Sequence, residues 1–211
     1  MKIRKIAAWA GMIGPVLFTL SFLINGALRP GYNPVRQYVS ELAIDTGGWI
    51  QILGFFVIGI CLLLFSFGLK EVLAKGKMSR LAPTLFLIIG VCYILSGIFV
   101  TDPVSTIGSQ QSITGILHSI FGAIVFSLSA AVGFVLWQRF RVDKEWQSLT
   151  TPVLVLSIVT VTLIILMKVA ELLTGSILND WVGVIQRSCL IVHYVLIFIV
   201  SLKMKSLGQK Q

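Results

Sequence analysis

The chain has 211 residues, of which 56% are hydrophobic and only 12% are charged, and its mean hydropathy is +0.95. These values exclude a soluble globular domain, in which about 25% of residues are charged. The composition predicts a multi-pass protein of the cell membrane.

Apolar segments long enough to cross a bilayer occur six times in the sequence. About 20 apolar residues are needed to span the hydrocarbon layer as a helix. The segments run over about residues 6–28, 49–69, 81–101, 115–137, 152–173 and 183–202. They predict an all-α fold, a six-helix transmembrane bundle, with residues 1–211 forming a single membrane domain. The first segment is too long for the core of a secretory signal and is interpreted as an uncleaved span.

The longest predicted loop, residues 29–48, joins the first two spans. After Pro34, apolar residues recur at helical spacing at Val35, Val39 and Leu42. This spacing predicts a short amphipathic helix that lies at the outer membrane interface.

Basic residues are distributed unevenly between the two sides of the predicted bundle. Thirteen of the 17 Lys and Arg residues lie at the termini or in the loops after the second and fourth spans. They are Lys2, Arg4, Lys5, Lys70, Lys75, Lys77, Arg80, Arg139, Arg141, Lys144, Lys203, Lys205 and Lys210. The positive-inside rule places both termini in the cytoplasm. This bias, with attraction to anionic headgroups, accounts for the net charge of +9, so membrane lipid rather than nucleic acid is the expected partner.

Most ionisable residues within the spans lie near one depth, toward the predicted outer face. An ionisable group in the hydrocarbon costs at least about 2.5–3.5 kcal/mol, so each needs a partner, water or a route to the interface. The polar candidates are Arg36, Ser40 and Glu41 in the first outer loop, and Asp102, His118, Lys168, Glu171 and Arg187 at the outer ends of spans three to six. Their common depth indicates a polar site that opens outward.

Some of these residues also have simpler explanations. Lys168 and Glu171 are three positions apart on span five and can pair with each other. Arg187 can extend to the outer headgroups instead of entering the bundle. His118 can be a packing histidine that bonds a backbone carbonyl, and Asp102 can cap a helix end.

No cofactor or metal is expected. His118 and His193 lie on different helices, but they differ in depth by about two turns, which is a poor arrangement for binding a haem. Metal-ligand spacings such as His-x-x-x-His and Cys-x-x-Cys are absent from the sequence. Cys61, Cys92 and Cys189 lie in apolar spans without paired spacing and are interpreted as buried hydrophobic residues.

Three stretches of the sequence carry a family resemblance. They are Pro30 through Leu42 in the first outer loop, Asp102-Pro103 after span three, and His118 at the start of span four. Nearly the whole chain resembles the bacterial and archaeal membrane family named domain of unknown function 998. The resemblance implies a compact six-helix protein with no assigned reaction. The positions that it marks are Ser40, Glu41, Asp102, Pro103 and His118.

Three classes of function remain open from the sequence. The first is a protein that binds or transports a lipid headgroup or small polar ligand, through Arg36, Glu41, Lys168, Glu171 and Arg187. The second is an intramembrane hydrolase with Ser40 as nucleophile, His118 as base and Asp102 as the group that orients the base. The third is a structural or accessory protein whose polar groups only satisfy one another. The oligomeric state is left open.

Asp102, His118 and the Ser40-Glu41 segment are expected to converge on one site. Asp102 ends span three and His118 begins span four, so the short connection keeps both at the same rim. The amphipathic segment after Pro34 would hold Ser40 and Glu41 at the interface beside them.

Overall fold

The fold is a bundle of six long helices. The computed structural model describes residues 2–73, 76, 78–104, 106, 110–173 and 175–208. The helices are α1 (Lys2–Leu28), α2 (Trp49–Val72), α3 (Leu81–Ile98), α4 (Ile113–Arg141), α5 (Thr150–Leu172) and α6 (Val182–Gly208). Each is long and apolar enough to cross a membrane, and the described residues contain no β-strand. The predicted all-α fold with six spans is confirmed.

The helices form a closed ring in chain order. Each helix packs against the next one, and α6 returns to pack against α1. Small residues permit close contacts: a Cβ on Gly59 of α2 would lie 2.7 Å from the carbonyl oxygen of Gly90 in α3. In the centre, Phe18 of α1 makes edge contacts with Tyr93 and Tyr194, whose hydroxyls are 2.9 Å apart. The core therefore joins α1, α3 and α6 directly.

Helices α4 and α5 are less buried than the other four helices. We call the end of the bundle that carries residues 29–48 the outer end, and the opposite end the inner end. In the most apolar 18-residue stretch of α4, and likewise of α5, 28% of the residues are buried. The corresponding fraction in the other four helices is 50–61%. Toward the inner end the pair is tight, because a Cβ on Gly133 would lie 2.9 Å from the Cβ of Ser157. At Gly122, about three turns further out, a Cβ would meet no atom within 4 Å. The outer halves therefore leave open space.

Residues 29–48 fold back over the outer end of the bundle. The segment after Pro34 contains a five-residue 3-10 helix, Val39–Ala43. Its apolar residues Val39 and Leu42 are buried against the bundle. The placement of this segment at the membrane interface stays a prediction.

The same loop is docked on the first turn of α6. The amide N–H of Gly183 donates to the carbonyl oxygen of Val35 at 2.9 Å. A Cβ on Gly183 would lie 2.5–2.8 Å from the carbonyl oxygens of Pro34, Val35 and Gln37. Glycine at this position therefore lets the loop backbone lie directly against the helix.

Aromatic packing and an ion pair close the inner end beneath α4 and α5. Trp146 is buried and stacks on Phe140, with ring centroids 4.7 Å apart. Arg139 Nη2 lies 2.6 Å from Asp143 Oδ2. The open space between α4 and α5 therefore lies in the outer halves of the two helices.

The orientation in the membrane stays a prediction that cysteine labelling tests. Single cysteines introduced near Tyr38 and Ser109 should react with a membrane-impermeant thiol reagent in intact cells. Cysteines introduced near Lys77 and Lys144 should not react, because the basic segments are expected to lie in the cytoplasm. Lys77 and Ser109 lie outside the described residues. Labelling of the Lys77 loop from outside intact cells would contradict the predicted orientation.

Candidate functional site

His118 lies in the second turn of α4 and is held by the end of α3. Its Nδ1 is 2.7 Å from the carbonyl oxygen of Phe99 and 3.1 Å from that of Ser96. The last carbonyls of a helix lack partners within the helix, so they are free to accept this hydrogen bond. Because a carbonyl oxygen can only accept, Nδ1 carries the hydrogen, and the neutral ring presents Nε2 as an acceptor. Nε2 has no hydrogen-bond partner among the described residues.

Asp102 ties the end of α3 to the beginning of α4. Its Oδ2 accepts from the backbone N–H of Ser112, and its Oδ1 accepts from the Ser112 hydroxyl, both at 2.8 Å. Ser112 is the N-cap of α4 and accepts from the Gly115 amide at 3.0 Å. A carboxylate is favourable beside this positive helix end. No hydrogen bond joins Asp102 to His118, two residues that the structure describes in full.

Glu41 is buried and connects two outer segments of the chain. Its Oε1 accepts from the Tyr38 amide at 2.8 Å, and its Oε2 accepts from the Val104 amide at 3.2 Å. The neighbouring Ser40 is only half-buried. Its hydroxyl has no hydrogen bond to any residue in the described ranges.

Glu171 connects α5 to the outer loop. Its Oε2 lies 2.7 Å from Nζ of Lys168, and its Oε1 accepts from the Tyr38 hydroxyl at 2.9 Å. Burial, and then the adjacent Glu171 carboxylate, raise the pKa of Tyr38 above its ordinary value. The hydroxyl therefore stays protonated at neutral pH and remains a donor.

Lys168 and Glu171 should be coupled, because Lys168 Nζ lies 2.7 Å from Glu171 Oε2 and removing either charge alone leaves the other without its ionic partner. Glu171→Gln should cost more than Lys168→Met, because it also weakens the hydrogen bond from Tyr38. Thermal unfolding of the two single variants and the double variant in detergent measures the coupling. Strictly additive losses would show that the two charges are independent.

The two predicted arginines lie apart from the groups above. Arg36 is exposed, and its Nη2 is 3.3 Å from Asp180 Oδ1. Arg187 is buried and does not extend to the surface. Its guanidinium donates at 2.7–2.9 Å to the carbonyl oxygens of Pro34, Gln37 and Gly183, and also to the Tyr32 hydroxyl. Arg187 therefore holds the outer loop on α6.

A cavity of about 440 Å³ lies among α4, α5 and the outer loop. Five of the predicted site residues line it: Ser40, Asp102, His118, Lys168 and Glu171. Its deeper wall is mainly apolar and includes Phe18, Phe55, Tyr93, Val125, Phe126, Met167 and Leu190. Arg36, Glu41 and Arg187 are not part of the lining. Of the residues predicted to converge on one site, Ser40, Asp102 and His118 line this cavity and Glu41 does not. No hydrogen bond joins these three described residues, and their action as one site stays a prediction.

Sequence reasoning missed several polar residues of this lining. Ser96, Ser119 and Gln186 also face the cavity. A signal existed on α4, where Ser119 directly follows His118 and Gly122 lies one turn further on. No comparable signal marked Ser96, a lone serine in an apolar span.

The fold and the cavity define a polytopic α-helical membrane protein with a polar-rimmed pocket near its outer end. The chain belongs to the family described as Protein of unknown function (DUF998), whose model matches residues 12–203. The family resemblance is therefore confirmed. Comparison with curated proteins and with solved structures gives no match.

Proposed function

We propose that this membrane protein binds an amphiphilic ligand of the outer leaflet. Its head would lie at the polar rim beside His118, and its chain would lie against the apolar wall. The observation that carries the proposal is the cavity of about 440 Å³. Ligand sites typically have volumes of about 300–1,000 Å³ and an apolar lining with a few well-placed polar groups.

The route to the cavity favours a ligand that arrives from the lipid. Ser119, Ala123 and Ser127 line the cavity, lie four residues apart on one face of α4, and are exposed. On α5, the exposed Lys168 borders the same space. The cavity therefore reaches the surface of the bundle along the outer halves of α4 and α5, where an acyl or alkyl chain would extend into the bilayer.

Binding accounts for the packing better than transport does. The inner parts of α4 and α5 are in close contact at Gly133 and Ser157. Beneath them, Trp146 and Phe140 stack in the core. A pocket that is open only in its outer half suits a protein that holds or presents a ligand.

The other two classes of function have less support. A hydrolase of the proposed kind needs hydrogen bonds from its serine to its histidine and from the histidine to its carboxylate. In the described structure, His118 Nδ1 is bonded to the Phe99 and Ser96 carbonyls, and Asp102 is bonded to Ser112. The catalytic assignment of Ser40, Asp102 and His118 stays a prediction. A purely structural role would not account for the cavity of about 440 Å³ that His118 lines.

Native mass spectrometry of protein extracted gently from its own membranes tests the proposal. We expect a fraction of the protein to carry a non-covalent adduct, which lipid analysis of the same sample then identifies. Protein that is intact and folded but free of adducts in several mild detergents would contradict the proposal.

A further inference from the structure

The buried side chain of His118 presents a hydrogen-bond acceptor to the cavity. His118 is 93% buried, since its exposed fraction is 7%. Its Nδ1 hydrogen is used by the α3 carbonyls, so the neutral ring offers the cavity the lone pair of Nε2. A ligand group that meets this nitrogen must donate a hydrogen bond if the ring is neutral.

The charges around the cavity also disfavour an anionic headgroup. The charged residues of the lining are Asp102, Lys168 and Glu171, so their formal charges sum to −1. The one cation, Lys168, is already bonded to Glu171 at 2.7 Å. A phosphate would therefore meet no unpaired cation among the described lining residues.

Arginine, the residue that best matches phosphate geometry, does not line this cavity. Arg187 uses its guanidinium on loop carbonyls, and Arg36 pairs with Asp180. In contrast, the carboxylate oxygens of Asp102 each accept a single bond from Ser112 and keep further acceptor capacity. The Ser40 hydroxyl has no partner in the described ranges and can complete the shell around a donor.

From these observations we infer that the ligand is an amphiphile whose headgroup donates hydrogen bonds and carries no negative charge. A hydroxyl and a protonated amine both have this chemistry, and His118 Nε2 is their acceptor. This inference rests on the proposed function, because it specifies the headgroup of the ligand bound in the same cavity.

Four probes with the same chain separate the headgroups: dodecanol, dodecylamine, dodecyl phosphate and headless dodecane. Each is added at equal mole fraction to the purified protein in nanodiscs of zwitterionic lipid, and the Tm is measured. Gly122→Leu, which fills the cavity, is measured in parallel. We define the specific rise for a probe as the increase in Tm that it gives the wild type minus the increase that it gives Gly122→Leu.

We expect dodecanol or dodecylamine to raise the Tm of the wild type specifically, by on the order of 2–4 °C or more. Dodecyl phosphate and dodecane should give no such rise. A response to dodecanol alone identifies a hydroxyl ligand, and a response to dodecylamine alone identifies an amine ligand.

Two variants of His118 test the acceptor itself. The side-chain amide of His118→Asn can replace Nδ1–H toward the Ser96 and Phe99 carbonyls, but it has no atom at the position of Nε2. This variant should fold and lose most of the specific rise in Tm. His118→Gln, which can place its amide oxygen near the position of Nε2, should keep more of the rise.

The results that would overturn the inference differ from those that would overturn the proposed function. A specific rise with dodecyl phosphate or dodecane as large as that with dodecanol and dodecylamine would refute the headgroup assignment and leave an amphiphile site standing. An unchanged rise in folded His118→Asn would refute the role of Nε2. If no probe gives a rise that depends on Gly122, the cavity does not bind amphiphiles and the proposed function fails with the inference.

Discussion

Replacing Gly122 with leucine should abolish ligand retention without loss of stability. A Cβ at Gly122 would meet no atom within 4 Å, and this residue lines the cavity. The added side chain would occupy the space of the ligand. Leucine also favours a helix over glycine by up to about 1 kcal/mol, so the Tm of the ligand-free protein should stay the same or rise. Native mass spectrometry and thermal unfolding of the same sample measure both quantities.

Two other glycine positions provide controls for this substitution. Gly208→Leu makes the same change at the end of α6, where a Cβ also meets nothing within 4 Å, and it should retain the ligand. Gly133→Leu should instead destabilise the bundle by about 1–3 kcal/mol, because its Cβ would lie 2.9 Å from that of Ser157. Normal ligand retention by folded Gly122→Leu would show that the adduct binds elsewhere.

Replacing Arg187 with methionine should cost at least about 2 kcal/mol of stability, because two loop carbonyl oxygens lose a charged donor. The variant would leave the carbonyl oxygens of Pro34 and Gln37 without the donor that they share in the folded protein. Each unsatisfied buried group costs about 1–3 kcal/mol. Thermal unfolding in detergent measures the loss, and limited proteolysis should show faster cleavage within residues 29–48.

Arg36→Met is the matched control for the Arg187 variant. Arg36 is exposed, and among the described residues its side chain pairs with the exposed Asp180, so the change should cost less than about 1 kcal/mol. Arg187→Lys should fall between the two, since an ammonium cannot reproduce the planar set of donors. Equal, small losses for Arg187→Met and Arg36→Met would mean that the loop does not depend on Arg187.

Hydropathy predicts the depth of a residue in a bundle but not the direction in which it faces. Hydropathy was enough to predict the six membrane-spanning helices, because a span is defined by its length and its apolar composition. It placed Arg187 and Lys168 at a similar depth, yet Lys168 borders the cavity and Arg187 faces the loop. Most hydrogen-bond partners of Arg187 in the described structure are backbone carbonyls, which have no signature in the sequence.

The same limit applies to the histidine of the site. The sequence marked His118, Asp102 and Ser40 as neighbours at one rim, and all three line one cavity. It left open whether Asp102 or a carbonyl would bond to His118. The answer depends on how the end of α3 meets α4, a tertiary contact that no local pattern of residues encodes.

The docking of residues 29–48 on Gly183 and Arg187 also constrains biogenesis. The ribosome makes this loop just after the first span, whereas the groups that bind its carbonyls belong to the last one. Until α6 inserts, the nascent chain displays an outer segment whose polar backbone lacks those protein partners, so water or a chaperone must cover it. The outer end of the bundle is therefore completed only after α6 has inserted, and a chain with five inserted spans would leave these loop carbonyls without their α6 donors.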